Sequence, residues 1–201
     1  MNSRPLSRRF YRRDVVAVAR ALLGQRLVRQ LDDGTRLAGV IVETEAYLGI
    51  PDAAAHTAGG RRTERNASMW GPAGHAYVYF TYGMHHCMNV VAGDVEQPVA
   101  ALIRAIRPTE GVEAMWRARP AARRVTDLCS GPAKLCQALG VDRSLDGVDL
   151  TAGEALWLER GPGPGGAIVA TPRVGVDYAG PWAAAALRFL VAGSAFASRR
   201  R

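Results

Sequence analysis

The amino-acid sequence predicts one α+β domain, built from a curved, mostly antiparallel β-sheet flanked by helices. Strand-like segments follow one another across tight turns, and helix-like segments stand at the start and in the middle of the chain. A length of 201 residues suits a single domain, and a hydrophobic content of 48% suits a folded one. We expect residues 1–201 to form that domain, with about 1–5 and 197–201 as flexible basic ends.

The first helix and the first hairpin have clear boundary signals. Asp14 suits an N-cap, apolar residues recur at helical spacing from Val15 onward, and Gly24 ends the run. From about residue 25 to residue 47, two apolar strands flank the turn sequence DDG at residues 32–34. The order predicted here is therefore a helix followed by a β-hairpin.

The second strand of that hairpin carries two carboxylates on one predicted face. Strict alternation places Ile41, Glu43, Glu45 and Tyr47 on the same side. Glu45 has two interpretations, which the pattern leaves open. It is either a base that activates water beside a stacked planar group, or half of a structural ion pair with an arginine. Glu43 competes for the same role.

A long segment and a tyrosine-rich hairpin come next. Residues 48–74 are rich in Gly, Ala and polar residues, and a loop of this length is usually functional or disordered. The AAAH run at residues 53–56 could form one helical turn. The stretch YVYFTYGMHHCMN, at residues 77–89, predicts a strand, a turn at Tyr82 and Gly83, and a returning strand through residue 92.

The second half of the chain predicts further strands and two helices. Residues 98–106 form a strand with Ala100, Leu102, Arg104 and Ile106 on one face, closed by Arg107 and Pro108. A helix is predicted from Thr109, its cap, to Pro120, its stop. Residues 128–140 predict a short helix with Pro132 in its first turn. Strands or extended segments are predicted at residues 155–161, 170–180 and 187–193.

The charge pattern favours a polyanionic partner. A net charge of +8 indicates nucleic acid first and an anionic membrane surface second. Lys134 is the only lysine, and an arginine-rich usage can follow genome composition, so the arginine excess is weak support. The helix start at residues 130–135 suits a phosphate near Lys134, although a plain capped helix fits equally well.

Composition also argues against several classes of protein. No apolar run reaches the ~18 residues of a membrane helix, and none adjoins the basic N-terminus, so neither a membrane protein nor a secreted one is expected. Cys87, Cys129 and Cys136 form an odd set, which predicts a reducing compartment without a disulfide framework. His85, His86 and Cys87 are consecutive and would point to alternating faces, so no metal site is predicted.

Four tyrosines are candidates for stacking on flat bases. Tyr47, Tyr79 and Tyr82 stand near the arginines and the predicted turn, where aromatic rings suit nucleic-acid contacts. The alternative for each ring is core packing, and for Tyr77 we expect the core.

Several of these motifs, taken together, point to one family. The motif ETEAYLG, the AAAH run and YVYFTYGMHHCMN closely resemble the alkyladenine (3-methyladenine, methylpurine) DNA glycosylases, which excise alkylated purines from duplex DNA. IRAIRPTEG, DLCSGPAKLCQALG, LWLERG and PRVGVDYAGPW extend the resemblance in order, from about residue 6 to residue 196. The sequence departs from the best-known members at His85 and His86, where aromatic residues are expected.

The resemblance implies a role for each matching position. Glu45 would be the general base that holds the attacking water, with Arg104 and the carbonyl of Val174 as further water ligands. The extruded base would be enclosed by Tyr47, His56, Tyr79 and Leu102, with Asn89 rejecting the 2-amino group of normal guanine. Tyr82 would be the wedge that enters the duplex, with Met84 beside it. Lys134, Arg61 and Thr63 would contact phosphates.

The resemblance therefore implies a cofactor-free enzyme that acts on double-stranded DNA, in the cytoplasm of a bacterium or the nucleus of a eukaryote. The sequence indicates no oligomeric state, so a monomer is the default expectation. Cleavage of the backbone would need an amine, and only Lys134 and the N-terminus offer one. Because Lys134 is in a predicted phosphate site, we expect a monofunctional enzyme that leaves an abasic site. The alternative is a non-catalytic module that flips and sequesters damaged bases. Release of free base separates the two.

Overall fold

A computed structural model describes residues 4–198 of the chain, which form the following elements. The helices are α1 (Arg8–Tyr11), α2 (Val15–Leu22), α3 (Val112–Ala118), α4 (Val125–Leu128) and α5 (Pro132–Leu139). The strands are β1 (Arg26–Gln30), β2 (Arg36–Tyr47), β3 (Ala76–Thr81), β4 (His85–Ala92), β5 (Val99–Glu110), β6 (Leu156–Glu159), β7 (Ile168–Thr171) and β8 (Arg188–Val191). Short 3-10 helices span Ala58–Gly60, Glu64–Trp70, Arg143–Leu145 and Asp177–Ala184.

These strands form one open sheet in which every pairing is antiparallel. The main path runs β3-β4-β5-β2-β1-β6, and β7 and β8 join it through β2. One edge of β2 pairs along its length with β5. Its other edge is shared, because β1 pairs with residues 36–40 and β8 pairs with residues 43–45. The predicted α+β class with an antiparallel sheet is confirmed.

The main core lies between one face of this sheet and the helices. It contains Tyr11, Leu22, Ile103 and Leu135, each with no exposed surface. The predicted N-cap of α2 is confirmed, because the Asp14 side chain accepts a hydrogen bond from the amide of residue 17 at 2.9 Å. Among residues 4–198, no helix is long and apolar enough to cross a membrane.

Both ends of the described chain contact the sheet. Pro5 forms a β-bridge with Glu159, and Ser198 donates hydrogen bonds to Glu43. The rest of the ends predicted to be flexible, residues 1–3 and 199–201, lies outside the described residues.

The predicted alternation of side chains along β2 and β5 is wrong for Ile41 and Ile106, because the pairing of the two strands is irregular next to these residues. The register shifts at Glu43 and shifts back at Thr44, so two consecutive residues face the same side. Ile41 and Ile106 therefore pack in the main core, not on the face of the carboxylates. The same irregularity leaves Glu43, Glu45 and Arg104 close together, as their ion pairs show.

The helix predicted from Thr109 begins three residues later than expected. Strand β5 does not close at Pro108, because residues 107, 108 and 110 still pair with β2 and the Thr109 hydroxyl donates to the carbonyl of Ala38. Gly111 then turns the chain with φ of 66° and lies so close to Leu37 that a side chain would clash there. The pairing of β5 with β2 has therefore outweighed the local tendency of Thr109 to cap a helix.

The long segment after β2 folds into turns and two short 3-10 helices. The AAAH run at residues 53–56 forms turns instead of the predicted helical turn. The reason is Asp52, whose carboxylate accepts hydrogen bonds from the amides of Leu48 and Ala54 and so fixes a non-helical backbone. Asn66, in the second 3-10 helix, donates to the carbonyl of His56 at 3.0 Å and holds that residue against the sheet.

Candidate active site

A cavity of about 310 Å³ opens beside the carboxylate face of the sheet. Its wall includes eight of the residues predicted from sequence, namely Tyr47, His56, Tyr79, Tyr82, Asn89, Leu102, Arg104 and Val174. The other lining residues are Ala54, Met69, Tyr77, Thr81, Cys87, Pro132, Gly175, Val176 and Tyr178. The wall is thus largely aromatic and apolar, with a few convergent polar groups, as small-molecule sites usually are.

Glu45 lies directly behind this wall and has no exposed surface. Its carboxylate contacts three lining residues: the Tyr47 hydroxyl donates to Oε2 at 2.8 Å, the Val174 amide donates to Oε1 at 2.8 Å, and Nη1 of Arg104 lies 3.2 Å from Oε1. The group that Val174 presents to Glu45 is its N–H, not its carbonyl. A carboxylate can accept about four hydrogen bonds, so Oε2 retains capacity for a water molecule.

A buried ion network fixes Arg104 beside Glu45. Glu43 has no exposed surface and accepts from Nε of Arg104 and Nε of Arg188, each at 2.7 Å. It also accepts from the amide of Ser198 at 2.5 Å and from its hydroxyl at 2.7 Å. Two carboxylates and two guanidinium groups therefore balance one another out of water.

Opposing effects set the charges in this network. Burial alone would raise the pKa of Glu43, but the charge of Arg104 and the hydrogen bonds from Arg188 and Ser198 outweigh it, and the pKa is lowered. Burial likewise works to lower the pKa of Arg104, while Glu45 and Glu43 raise it above its usual value. Glu43 and Arg104 therefore both stay charged near neutral pH.

Another part of the cavity wall is a cluster of three neutral rings. Nδ1 of His56 lies 2.7 Å from the Tyr77 hydroxyl, and the ring centroids of His56 and Tyr79 are 4.5 Å apart in an edge-on arrangement. Burial, then the charges of Arg65 and Arg61, lower the pKa of His56 to about 4. Burial also raises the pKa values of Tyr77 and Tyr79. Tyr77 is buried as predicted, and it also lines the cavity.

The β3–β4 hairpin carries an exposed aromatic tip. Tyr82 and Gly83 both have positive φ, 52° and 68°, and are the central residues of a turn that the Met84 amide closes on the Thr81 carbonyl. A tyrosine in this region is strained by about 1–2 kcal/mol, and such strain is usually retained for function. Tyr82 is 85% exposed and Met84 is 70% exposed, so the tip projects into solvent at the edge of the cavity.

Comparison with known proteins matches this sequence to one family. The family model "Methylpurine-DNA glycosylase (MPG)" covers residues 9–195. The chain is 50% identical over 200 residues to the human "DNA-3-methyladenine glycosylase", covering 94% of this chain and 66% of the human protein. It is 49% identical over 195 residues to the "Putative 3-methyladenine DNA glycosylase" of Methanocella arvoryzae, covering 97% and 96% of the two chains.

The chain belongs to the methylpurine-DNA glycosylase family. A third relative, the "Putative 3-methyladenine DNA glycosylase" of Anaeromyxobacter dehalogenans, is 50% identical over 96% of this chain and 86% of its own length. The chain spans slightly under two thirds of the human relative. These relatives from a mammal, an archaeon and a bacterium thus align over nearly the whole of this chain, with 49–50% identity.

In this methylpurine-DNA glycosylase family member, four predicted DNA contacts lie outside the cavity wall: Met84, Arg61, Thr63 and Lys134. Lys134 is in the first turn of α5, and Pro132 of that helix lines the cavity. The amide of Thr63 donates to Asn66 at 2.8 Å at the start of a 3-10 helix. The short helix at Lys134 begins after Gly131 and ends at Gly140, as the sequence predicted.

Several residues of the site were not predicted. Asp52, Arg173, Arg188 and Ser198 hold the cavity wall or the buried carboxylates, and Tyr178 lines the rim with 73% exposure. Arg188 had a usable signal, because an arginine inside the apolar strand LRFLVAG needs a buried partner. Among residues 4–198, no three His, Cys, Asp or Glu side chains are placed to hold a metal ion, and the three cysteines are buried thiols.

Acidification is expected to destabilise the protein through His56. Because its pKa falls to about 4, the unfolded chain binds a proton between about pH 6.5 and pH 4 that the folded chain does not. The free energy of unfolding should therefore fall by about 2–3 kcal/mol from this residue as the pH drops through that window. Urea unfolding near pH 7 and near pH 4.5 tests this, because His56→Gln should lose less stability than the wild type. Equal losses in the two proteins would contradict it.

Proposed function

We propose that this chain is a monofunctional DNA glycosylase that flips alkylated purines, such as 3-methyladenine, out of duplex DNA. It hydrolyses the N-glycosidic bond with a water activated by Glu45, acts as a monomer without a cofactor, and works in the cytoplasm or nucleus. The supporting observation is a buried carboxylate bonded to three residues in the wall of an aromatic cavity. Relatives named as 3-methyladenine DNA glycosylases support the substrate class.

The exposed hairpin tip supports the extrusion step. A base inside a duplex is out of reach, so the enzyme must unstack it at a cost of a few kcal/mol. Tyr82 can fill the vacated space, as inserted apolar side chains do in other DNA-bending proteins. Arg61, Thr63 and Lys134 hold the flanking phosphates, and the net charge of +8 favours this contact.

The cavity can then hold the purine between rings. Stacking on Tyr47, His56 and Tyr79 contributes roughly 1–3 kcal/mol per ring. N3- and N7-alkylated purines are cationic, and phenol faces attract a desolvated cation by up to about 2 kcal/mol. Leu102 packs against the base. Asn89, which is buried and donates to the Tyr77 carbonyl, excludes the 2-amino group of guanine.

Bond cleavage needs only water, a base and charge stabilisation, because a cationic purine is already a good leaving group. Glu45 takes the proton of the attacking water on Oε2, while Arg104 and the Val174 amide hold Oε1. The same negative charge stabilises the oxocarbenium-like sugar in the transition state. The attacking water is held by Glu45 and Arg104, and the carbonyl of Val174 is its third ligand, as predicted by the family resemblance.

The proposed enzyme should release the damaged base without forming a covalent bond to DNA. Backbone cleavage would need an amine that attacks the sugar, and Lys134, the only lysine, is not among the residues that line the cavity. Methylated duplex DNA should yield free 3-methyladenine and an intact strand with an abasic site. Borohydride should trap no enzyme–DNA adduct.

The same assay distinguishes a glycosylase from the alternative, a non-catalytic module that binds damaged DNA. If the protein binds lesion-containing duplex with high affinity but releases no base, it is a non-catalytic damage-recognition module. A trapped adduct would contradict the monofunctional assignment. An inactive protein that also fails to bind would contradict both functions.

A further inference from the structure

We infer that Arg173 determines specificity in this cavity: its guanidinium, held behind Tyr47, lowers the preference for cationic over neutral purines. This inference rests on the proposed recognition of extruded purines. It concerns which lesions the site favours and does not depend on hydrolysis.

Arg173 is placed rigidly behind the cavity wall. Its side chain has no exposed surface, and it forms a two-pronged ion pair with Asp52, with Nη1 at 2.6 Å and Nη2 at 2.8 Å from the two carboxylate oxygens. Nη1 also donates to the carbonyl of Ala46 at 2.9 Å. Arg173 is not a lining residue, whereas the ring of Tyr47 is.

The guanidinium of Arg173 also contacts the ring of Tyr47. Nε of Arg173 is buried and has no hydrogen-bond partner among residues 4–198. The guanidinium carbon lies over the Tyr47 ring, 4.7 Å from its centroid. One side of the Tyr47 ring therefore already carries a cation.

Because Tyr47 lines the cavity and Arg173 does not, we place the stacked purine against the opposite side of the same ring. A positive charge behind the ring repels a second positive charge in front of it, and low polarity around the buried pair keeps that repulsion from being screened. Asp52 cancels part of this repulsion, while the guanidinium carbon of Arg173 is the cationic centre that lies over the ring, 4.7 Å from its centroid. The pair thus reduces the attraction of Tyr47 for a cationic base and leaves stacking with a neutral base unchanged.

A second arginine serves as a comparison. Arg65 lies 5.4 Å from the Tyr79 ring centroid, so it also places a cation against a lining tyrosine. Arg65 is exposed to solvent, however, so water and salt screen its charge more strongly than they screen the charge of the buried Arg173. We therefore expect selectivity to depend on the buried cation at residue 173 and only weakly on the exposed one.

The test compares two uncleavable duplexes that differ only in charge. One carries 2′-fluoroarabino-7-methylguanine, which is cationic, and the other carries its neutral 7-deaza counterpart. For each protein, the ratio of the two binding affinities measures the preference for the cation. Neither duplex requires catalysis, so a protein that binds both but cleaves nothing still gives a result.

Two variants should shift the ratio in opposite directions. In the neutral double variant Asp52→Asn/Arg173→Gln, the ratio of cationic to neutral affinity should rise about threefold, and in Asp52→Asn alone, which leaves the cation uncompensated, it should fall about tenfold. Arg173→Lys keeps the charge and should keep the ratio near the wild-type value. Arg65→Gln is the matched exposed control and should leave the ratio almost unchanged.

A purely structural role would weaken both affinities together and leave the ratio constant. Shifts in the same direction for the two variants, or no shift in Asp52→Asn, would overturn the inference. Thermal unfolding shows whether the double variant folds. If it does not, the expected fall in the affinity ratio of Asp52→Asn alone tests the inference. A wild-type protein that binds neither duplex contradicts the proposed function itself.

Discussion

Replacing Glu45 with glutamine is expected to lower the rate of base release from methylated duplex DNA by about 10²- to 10⁴-fold. Glutamine has nearly the same shape and keeps one oxygen to accept the hydrogen bond from Val174. It cannot take a proton from water at neutral pH, and it offers no negative charge to the oxocarbenium-like sugar. The loss should therefore appear in the chemical step.

Binding and cleavage must be measured separately to assign this loss. Single-turnover release of 3-methyladenine reports the chemical step, and fluorescence anisotropy with an uncleavable lesion duplex reports binding. We expect the affinity of Glu45→Gln to stay close to that of the wild type, because Glu45 lies behind the wall that touches the base. Glu154→Gln, which removes a charge from an exposed loop, is the matched control and should cleave normally.

Two results would remove Glu45 from its proposed role. Release by Glu45→Gln within about tenfold of the wild-type rate would mean that another group activates the water. Unchanged cleavage together with weaker binding would make Glu45 a structural support of Tyr47.

The choice between Glu43 and Glu45 shows where sequence reasoning ends. Alternation along a strand correctly placed both carboxylates on one face, where both contact Arg104, but the two positions are equivalent at that level. What distinguishes them is their partners. Glu45 contacts three residues of the cavity wall, whereas Glu43 is enclosed by Arg104, Arg188 and Ser198. Two of those partners lie 145 and 155 residues away along the chain, beyond the reach of any local pattern.

The same limit explains the errors in the fold. Hairpins with tight turns and the capped helix at Asp14 follow from local chemistry, and they were predicted correctly. The irregularity at Glu43 and the strand that continues through Thr109 depend on pairing between β2 and β5, which a single sequence does not display. Eight of the seventeen residues of the cavity wall came from the family resemblance, while Arg173 and Asp52 had no local signal.

Replacing Glu43 with glutamine is expected to lower the free energy of unfolding by about 3–5 kcal/mol, because it leaves two buried arginines without their shared counter-charge. Glu43 accepts from Arg104, Arg188 and both donor groups of Ser198, and a glutamine amide would turn an N–H group towards some of these donors. Urea unfolding near neutral pH measures the loss. The exposed control Glu154→Gln should stay within about 0.5 kcal/mol of the wild type.

The pH dependence gives this prediction a second, independent measurement. Because the pKa of Glu43 is lowered from 4.5 on folding, its contribution is present above that value and is lost as the pH falls through the lower, folded-state pKa. The wild type should therefore lose stability below about pH 4.5 in a way that Glu43→Gln does not, separately from the His56 effect at higher pH. A loss under about 1 kcal/mol at neutral pH would mean that the two arginines find other counter-charges, and Arg104 would then not depend on Glu43 for its position beside Glu45.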